Sequence, residues 1–211
     1  IESDTTAMLE AAYTGTGGAA TGTLLAQFRP TTGSGGSFSV ANSVLTIASG
    51  TTANAATTIH REVDYGPLIV TFAALSVSQR IANNDVIWGL QDTPSAPTKY
   101  ARFRATGTTA TTLIFESTAV RTGTPAAADI ETTTFTLPNN LTTAASLRYR
   151  IELLVDRVRA YVNDVLVADH TVHIPDAYDV MDVVAGHLNG GSSPASSTNL
   201  LIDAIGVQNF N

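Results

Sequence analysis

The chain has 211 residues, a formal net charge of −7 and no cysteine. The acidic balance argues against nucleic acid as a partner, because phosphate binding requires clustered lysine and arginine. The absence of cysteine excludes disulfides and thiolate metal sites, and no apolar run approaches the ~20 residues that would span a membrane. Hydrophobic residues make up 44% of the chain, enough for the core of a single β-sandwich.

Residues 1–36 differ in composition from the rest of the chain. Short apolar clusters alternate there with the Gly/Ala/Thr-rich run 14–23 and the flexible run 30–37. Such clusters cannot bury themselves alone. We therefore weigh a disordered terminus, an extended arm that docks on a neighbour, and a first strand of the sandwich. The side chains predicted to bind a partner through the arm are Met8, Leu9, Tyr13, Leu24, Leu25 and Phe28.

From residue 37 onward the chain alternates short apolar runs with turn signals. The predicted strands lie within 37–49, 57–63, 67–78, 85–92, 100–107, 111–117, 132–138, 147–173, 181–188 and 199–210. The continuous apolar run 67–78 is typical of a central strand buried on both faces, and 177–184 is compatible with a helical turn. About eleven or twelve short strands without a long amphipathic helix indicate an all-β sandwich or barrel.

The segment 147–173 carries the strongest strand signal. Apolar or aromatic residues occupy every second position from Tyr149 to Val155, with charged residues between them, which is the pattern of a half-buried strand. Asn163 and Asp164 favour a type I′ turn, because both residue types tolerate positive φ. The segment therefore predicts three consecutive antiparallel strands.

The order of these pieces resembles the concanavalin A-like (laminin G-like) jelly roll. The resemblance is carried by SVLTIAS, DVIWGLQD, YARFRATG followed by TLIFES, and the last strand around Asp203. The hairpin residues that match the family's V-x-x-Y-V-N-G pattern are Val158, Tyr161, Val162, Asn163 and Asp164, with aspartate where glycine is usual. The resemblance covers residues 37–211. It implies a two-sheet antiparallel jelly-roll sandwich with an extended N-terminal arm over residues 1–36.

In style the chain is also similar to virion structural proteins of tailed bacteriophages. Those proteins use lectin-like jelly rolls as head decoration or tail-associated modules, and the Thr/Ala/Gly-rich composition and single lysine here fit that pattern. The resemblance implies a non-enzymatic protein at the virion surface. It would dock on a capsid or tail protein and form a homo-oligomer.

A carbohydrate-binding, lectin-like module in an extracellular setting is the alternative. In that case Trp88 would stack on a sugar and Asp85 and Asp92 would hydrogen-bond to it, although apolar neighbours favour a core position for the tryptophan. Oxygen ligands at this rim could hold calcium, but their spacing forms no defined calcium loop. We therefore predict no cofactor and no metal.

Some relatives of the fold are laminarinase-type glycoside hydrolases, which carry a Glu-x-Asp-x-x-Glu strand. Glu62 and Asp64 begin such a pattern, but Pro67 stands at the third position, and retaining hydrolysis needs two carboxyl groups about 5 Å apart. The spacing of His170 and His173 points the two rings to opposite strand faces, which is unsuited to one metal. We predict no catalytic residue and no enzymatic activity.

A group of arginines falls on outward strand positions. Its members are Arg102, Arg104, Arg148, Arg150 and Arg159. We interpret them as partners in cross-strand ion pairs with Glu116, Glu152 and Asp169, in preference to a basic stripe for an acidic partner.

Overall fold

The computed structural model describes residues 28–63, 66–93, 96–108, 111–137, 141–142, 147–176 and 178–210. Within these ranges the secondary structure consists of β-strands and one short 3-10 helix, Ala127–Asp129. The strands are β1 (Arg29–Thr31), β2 (Ser37–Ala41), β3 (Val44–Ala48), β4 (Ala56–Val63), β5 (Leu68–Val77), β6 (Asn84–Gln91), β7 (Lys99–Ala105), β8 (Thr112–Ala119), β9 (Ile130–Thr136), β10 (Leu147–Leu154), β11 (Val158–Val162), β12 (Val165–His170), β13 (Met181–Asn189) and β14 (Asn199–Phe210). No helix in the described ranges is long and apolar enough to cross a membrane.

The strands form two seven-stranded antiparallel sheets packed face to face. Sheet A has the order β1-β4-β13-β6-β7-β8-β9, and sheet B has the order β12-β11-β10-β5-β14-β3-β2. This arrangement confirms the predicted two-sheet jelly-roll sandwich. The segment considered for a helical turn instead leads into β13, which lies between β4 and β6 in sheet A.

Aromatic side chains from both sheets meet at the centre of the core. Trp88 on β6 stacks on Phe103 of β7 with ring centroids 5.5 Å apart, and Tyr149 from sheet B meets the tryptophan edge-on at 4.7 Å. Phe115 on β8 extends the cluster by an edge-to-face contact with Phe103 at 5.2 Å. Since these rings point inward, the alternation of the strands directs their neighbours outward.

The hairpin between β11 and β12 adopts the turn predicted from its sequence. Asn163 and Asp164 have φ of 48° and 65°, and both residues of a type I′ turn require positive φ. The Asn163 Oδ1 accepts a hydrogen bond from the Arg148 backbone N–H at 3.0 Å, and the Asn163 N–H donates to the Arg148 carbonyl at 2.8 Å. The turn is therefore tied to the neighbouring strand β10.

Strand β5 departs from its predicted burial. It is central in sheet B, between β10 and β14, and its inward residues are buried as expected. The outward residues Val70, Phe72 and Ala74 are only half-buried, because the other sheet covers one face of β5 alone.

The sandwich begins earlier than the boundary predicted at residue 37. β1 pairs with β4 at the edge of sheet A, and the preceding Phe28 is buried in the core. Phe28 therefore packs within this protein, where the sequence had assigned it to partner binding. The other predicted partner-binding residues, Met8, Leu9, Tyr13, Leu24 and Leu25, lie outside the described residues.

Two buried histidines link the sheets by hydrogen bonds. His187 of sheet A lies 3.0 Å from the Ile47 carbonyl of sheet B, and burial lowers its pKa to about 4. His170 of sheet B contacts the hydroxyls of Ser117 at 2.8 Å and Thr133 at 2.9 Å, both in sheet A. Burial lowers the pKa of His170, and the charges of Glu131 and Asp169 only partly oppose it.

We expect acid to destabilise the fold through these two rings. The unfolded chain binds a proton near pH 6.5, whereas the folded rings resist protonation, so the free energy of unfolding falls as the pH drops from about 7 towards 5. His170→Gln should flatten part of that decline in urea titrations at several pH values. His173→Gln, at an exposed histidine, is the control and should follow the wild type. An equally steep decline in His170→Gln would contradict the assignment.

Candidate functional site

The outward face of sheet A carries a set of enclosed polar side chains. Three successive rows of directly paired residues cross this face. Each row takes one residue from each of five neighbouring strands, β4, β13, β6, β7 and β8. The rows are Glu62–Asp182–Gln91–Tyr100–Thr118, His60–Val184–Gly89–Arg102–Glu116 and Thr58–Gly186–Ile87–Arg104–Ile114. Small or apolar residues occupy the middle of the second and third rows, and large polar residues stand beside them.

Glycines on the two central strands leave the middle of this face without large side chains. A Cβ on Gly89 would come within 2.6 Å of the Ala101 carbonyl oxygen, and one on Gly186 within 2.3 Å of the Thr57 carbonyl oxygen. Neighbouring backbone therefore excludes any side chain at either position. Ile87 and Val184 beside them are 0% exposed. We call this low strip, formed by Ile87, Gly89, Val184 and Gly186, the floor.

A rigid ion-pair network borders the floor on the β7–β8 side. The Arg102 Nε donates to Glu116 Oε1 at 2.8 Å, and its Nη1 donates to Gln91 Oε1 at 3.1 Å. The Arg104 Nε donates to the second oxygen of Glu116 at 3.0 Å. Arg102 also lies over the ring of Tyr100, 4.1 Å from its centroid. Because Arg102 and Glu116 are nearly fully buried, this border is fixed in place.

A less constrained group of side chains borders the floor on the β4–β13 side. His60 Nδ1 lies 3.0 Å from Asp182 Oδ2, and donation to that carboxylate leaves the Nε2 of a neutral ring as an acceptor. Glu62 is exposed and directly opposite Asp182. Burial and the charge of Glu62 raise the pKa of Asp182, while His60 and Arg29 oppose the shift. We call Glu62, Asp182 and His60 the carboxylate border.

An exposed tyrosine lies just before β13 in sequence, close to the carboxylate border along the chain. Tyr178 is 56% exposed, and the adjacent Asp179 forms an ion pair with Lys99 at the start of β7. The loop that carries the ring is therefore tied to the end of sheet A where Asp182 and Gln91 lie.

The residues predicted to bind a glycan are dispersed by the fold. Trp88 is 2% exposed in the core, which agrees with the position that its apolar neighbours favoured and excludes the alternative of a sugar platform. Asp85 faces outward and accepts from Arg104 at 3.4 Å, whereas Asp92 accepts from the Thr98 N–H at 3.0 Å. The two carboxylates lie at opposite ends of β6 and cannot share a calcium ion. Among the described residues no cluster of three or more histidine and acidic side chains is arranged to hold a metal.

The predicted cross-strand ion pairing of the outward arginines is confirmed for Arg102, Arg104 and Arg159, whereas Arg150 pairs within its own strand and Arg148 pairs with Asp164. Glu116 pairs with Arg102 and Arg104 on sheet A, while Glu152 pairs with Arg150 and Asp169 with Arg159 on sheet B. Since the arginines divide between opposite faces of the sandwich, they do not form one basic stripe.

Sequence reasoning missed the carboxylate border because its members come from separate strands. Glu62 and Asp182 are 120 positions apart in the chain, and only the pairing of β4 with β13 brings them together. The sequence singled out Glu62 only as part of an incomplete hydrolase pattern, and it did not identify Asp182 as the neighbour of Glu62.

No family model matches the chain, and no curated protein matches it significantly. The solved structures it resembles include an endo-β-1,3-glucanase from Pyrococcus furiosus, with 13% identity, a TM-score of 0.63, and coverage of 82% of this chain and 78% of that one. A β-glucanase from Bacillus licheniformis has 11% identity, a TM-score of 0.63 and 82% coverage of both chains. The carbohydrate recognition domain of Emp47p has 8% identity, a TM-score of 0.61, and coverage of 88% and 89%.

These likenesses define the fold as a concanavalin A-like jelly roll. They also contradict the prediction that the chain is not an enzyme, because structures that share its architecture include two glucanases. The prediction relied on the absence of a Glu-x-Asp-x-x-Glu strand. A motif within one strand cannot detect a pair of carboxylates that come from two separate strands. At 11% and 13% sequence identity, the similarity to these two glucanases shows that the fold is shared and assigns no particular activity to this chain.

The ion-pair network should be costly to break. Glu116→Ala leaves Arg102 and Arg104 without their shared acceptor, and removing one partner of a buried ion pair costs about 3–5 kcal/mol. Asp169→Ala, at a half-exposed pair on sheet B, should cost under about 1 kcal/mol. Urea unfolding of both variants measures the difference. Similar losses would show that the network adds no more stability than a surface pair.

Proposed function

We propose that this chain is a carbohydrate-binding jelly-roll protein that binds a polysaccharide at the carboxylate border of sheet A. The observation that carries the proposal is the carboxylate border, where Glu62 is exposed and the side chains of His60 and Asp182 are 13% and 14% exposed, whereas the floor beside it is closed to solvent. The fold shared with two glucanases and a carbohydrate recognition domain supports the same class of ligand.

The carboxylate border supplies the polar contacts in this proposal. Sugar hydroxyls donate to Glu62, to the second oxygen of Asp182 and to the Nε2 of neutral His60. Hydrogen bonds to ionised acceptors are about twice as strong as neutral ones. The exposed ring of Tyr178 supplies an apolar face for a sugar ring.

Asp182→Asn is expected to weaken β-glucan binding at least tenfold, because it replaces a charged acceptor with a neutral one of the same shape. Isothermal titration calorimetry with laminarin and with mixed-linkage β-glucan measures the effect. Asp169→Asn on sheet B is the matched control and should bind as the wild type does. No wild-type binding at millimolar sugar, or equal affinity in Asp182→Asn, would contradict the proposal.

A second candidate, hydrolysis of the bound glycan, is favoured by the pairing of Glu62 with Asp182. Directly opposite residues have Cβ atoms about 4.5–5.5 Å apart, compatible with the ~5–5.5 Å between carboxyl groups of retaining glycosidases. The raised pKa of Asp182 suits a general acid that protonates the glycosidic oxygen. Glu62 would attack the anomeric carbon, and water would then release the glycosyl group.

The hydrolytic proposal predicts release of reducing ends from laminarin by the wild type. Glu62→Gln and Asp182→Asn should each lower the rate at least a hundredfold, and Glu62→Gln should retain measurable binding because its amide still contacts sugar. Asp169→Asn again serves as the control. Binding without any release of reducing ends would leave the carbohydrate-binding function and remove the hydrolytic one.

The virion role remains a prediction from composition and from the terminal residues. It comprises docking on a capsid or tail protein, homo-oligomer formation and a virion-surface location. None of the three similar structures named above is a virion protein, so the glycan proposals have the stronger support.

A further inference from the structure

A second concave site lies on the outward face of sheet B, on the opposite side of the sandwich from the floor. A cavity of about 230 Å³ opens there, and its lining includes Phe72, Ala74, Arg148, Arg150, Asp164 and Ala204. At about 30 Å³ per water molecule, it has room for one ring-sized group and is too small for a dinucleotide.

The cavity results from the sizes of the side chains on three neighbouring strands. Ala74 of β5 is directly opposite both Arg148 of β10 and Ala204 of β14, so two methyl groups lie where larger side chains would fill the face. In the next row the ring of Phe72 extends over Gly206, where a Cβ would come within 2.4 Å of its Cζ. The ring therefore forms an apolar wall beside the alanines.

Arginines at the rim differ in how firmly they are held. Arg150 lies 4.0 Å over the Tyr161 ring and donates to Glu152 at 2.8 Å, and its buried Nε has no hydrogen-bond partner within the described part of the chain. Arg148 is 74% exposed and reaches Asp164 only at 3.3 Å, an exposed pair worth about 0–1 kcal/mol. The guanidinium of Arg150 is thus held in place by Tyr161 and Glu152, and that of Arg148 can leave its partner at little cost.

We propose that this cavity binds one carboxylated sugar ring of an acidic polysaccharide. The C–H face of the ring packs on Phe72 and the two alanines. The carboxylate accepts from the exposed part of the Arg150 guanidinium and from Arg148, which exchanges Asp164 for the ligand. Charge-assisted bonds from arginine to a carboxylate have the geometry and strength for this exchange. An open cavity on a sheet face also lets the polymer continue in both directions.

The test compares trigalacturonate with the neutral laminaritriose by calorimetry at low salt, using the full chain. The wild type should bind trigalacturonate at least tenfold more tightly, and the difference should shrink as salt is added. Ala74→Leu fills the cavity and Arg150→Gln removes the fixed cation, so each should weaken trigalacturonate binding at least tenfold. The controls are Val70→Leu on the same strand and Arg159→Gln on the same face, and both should stay within twofold of the wild type.

The outcome is separable from that of the sheet A proposal. Ala74→Leu should leave β-glucan binding unchanged, whereas Asp182→Asn should leave trigalacturonate binding unchanged. Equal affinity for the acidic and neutral sugars, or unaltered trigalacturonate binding in Arg150→Gln, would overturn the inference. A sulfated trisaccharide that binds as tightly as trigalacturonate would refute the choice of a carboxylated ring. If Ala74→Leu fails to fold, Arg150→Gln decides the result alone.

Discussion

The inward packing of Trp88, Phe103 and Tyr149 is the interaction on which the rest of the structure depends. These rings fill the space between the sheets and fix which alternate residues of β6, β7 and β10 face outward. A slip of one residue would turn the rings of any of these strands towards solvent, and in β7 and β10 it would bring arginines into the core. The outward positions of Gln91, Arg102 and Glu116 are therefore a consequence of aromatic packing.

The two outward faces of the sandwich differ in how they use charge. On sheet A, Arg102 and Glu116 are almost completely buried and hold each other in place, so the polar border there is stable but costly to assemble. On sheet B, the Arg148–Asp164 pair is mostly exposed, and its partners can be exchanged. A fixed border suits a groove that positions a neutral chain, and an exchangeable pair suits capture of a charged group.

Sequence-based predictions succeeded where the structure depends on residues close together in the chain, and they failed where it depends on contacts between distant residues. The Asn163-Asp164 turn and the alternation of Tyr100, Arg102 and Arg104 were predicted correctly, because turn chemistry and period-2 burial are local properties. The resemblance to the jelly roll was also sound for the fold. The predictions for Phe28 as a partner contact and for the chain as a non-enzyme failed, since each depends on what surrounds a residue in space.

The sequence by itself determined that the chain forms short antiparallel strands, which residues of the alternating strands face the core, and where the Asn163-Asp164 turn falls. Only the tertiary structure decided that Glu62 meets Asp182, that Gly89 and Gly186 lie together as a floor, and that Ala74 and Ala204 leave a cavity beside Phe72. The physical reason is that strand pairing joins residues far apart in the chain through backbone hydrogen bonds, which residues of every type can form, proline as an acceptor only. The choice of partner strand is therefore set by the packing of the whole sandwich and is not encoded in any one segment.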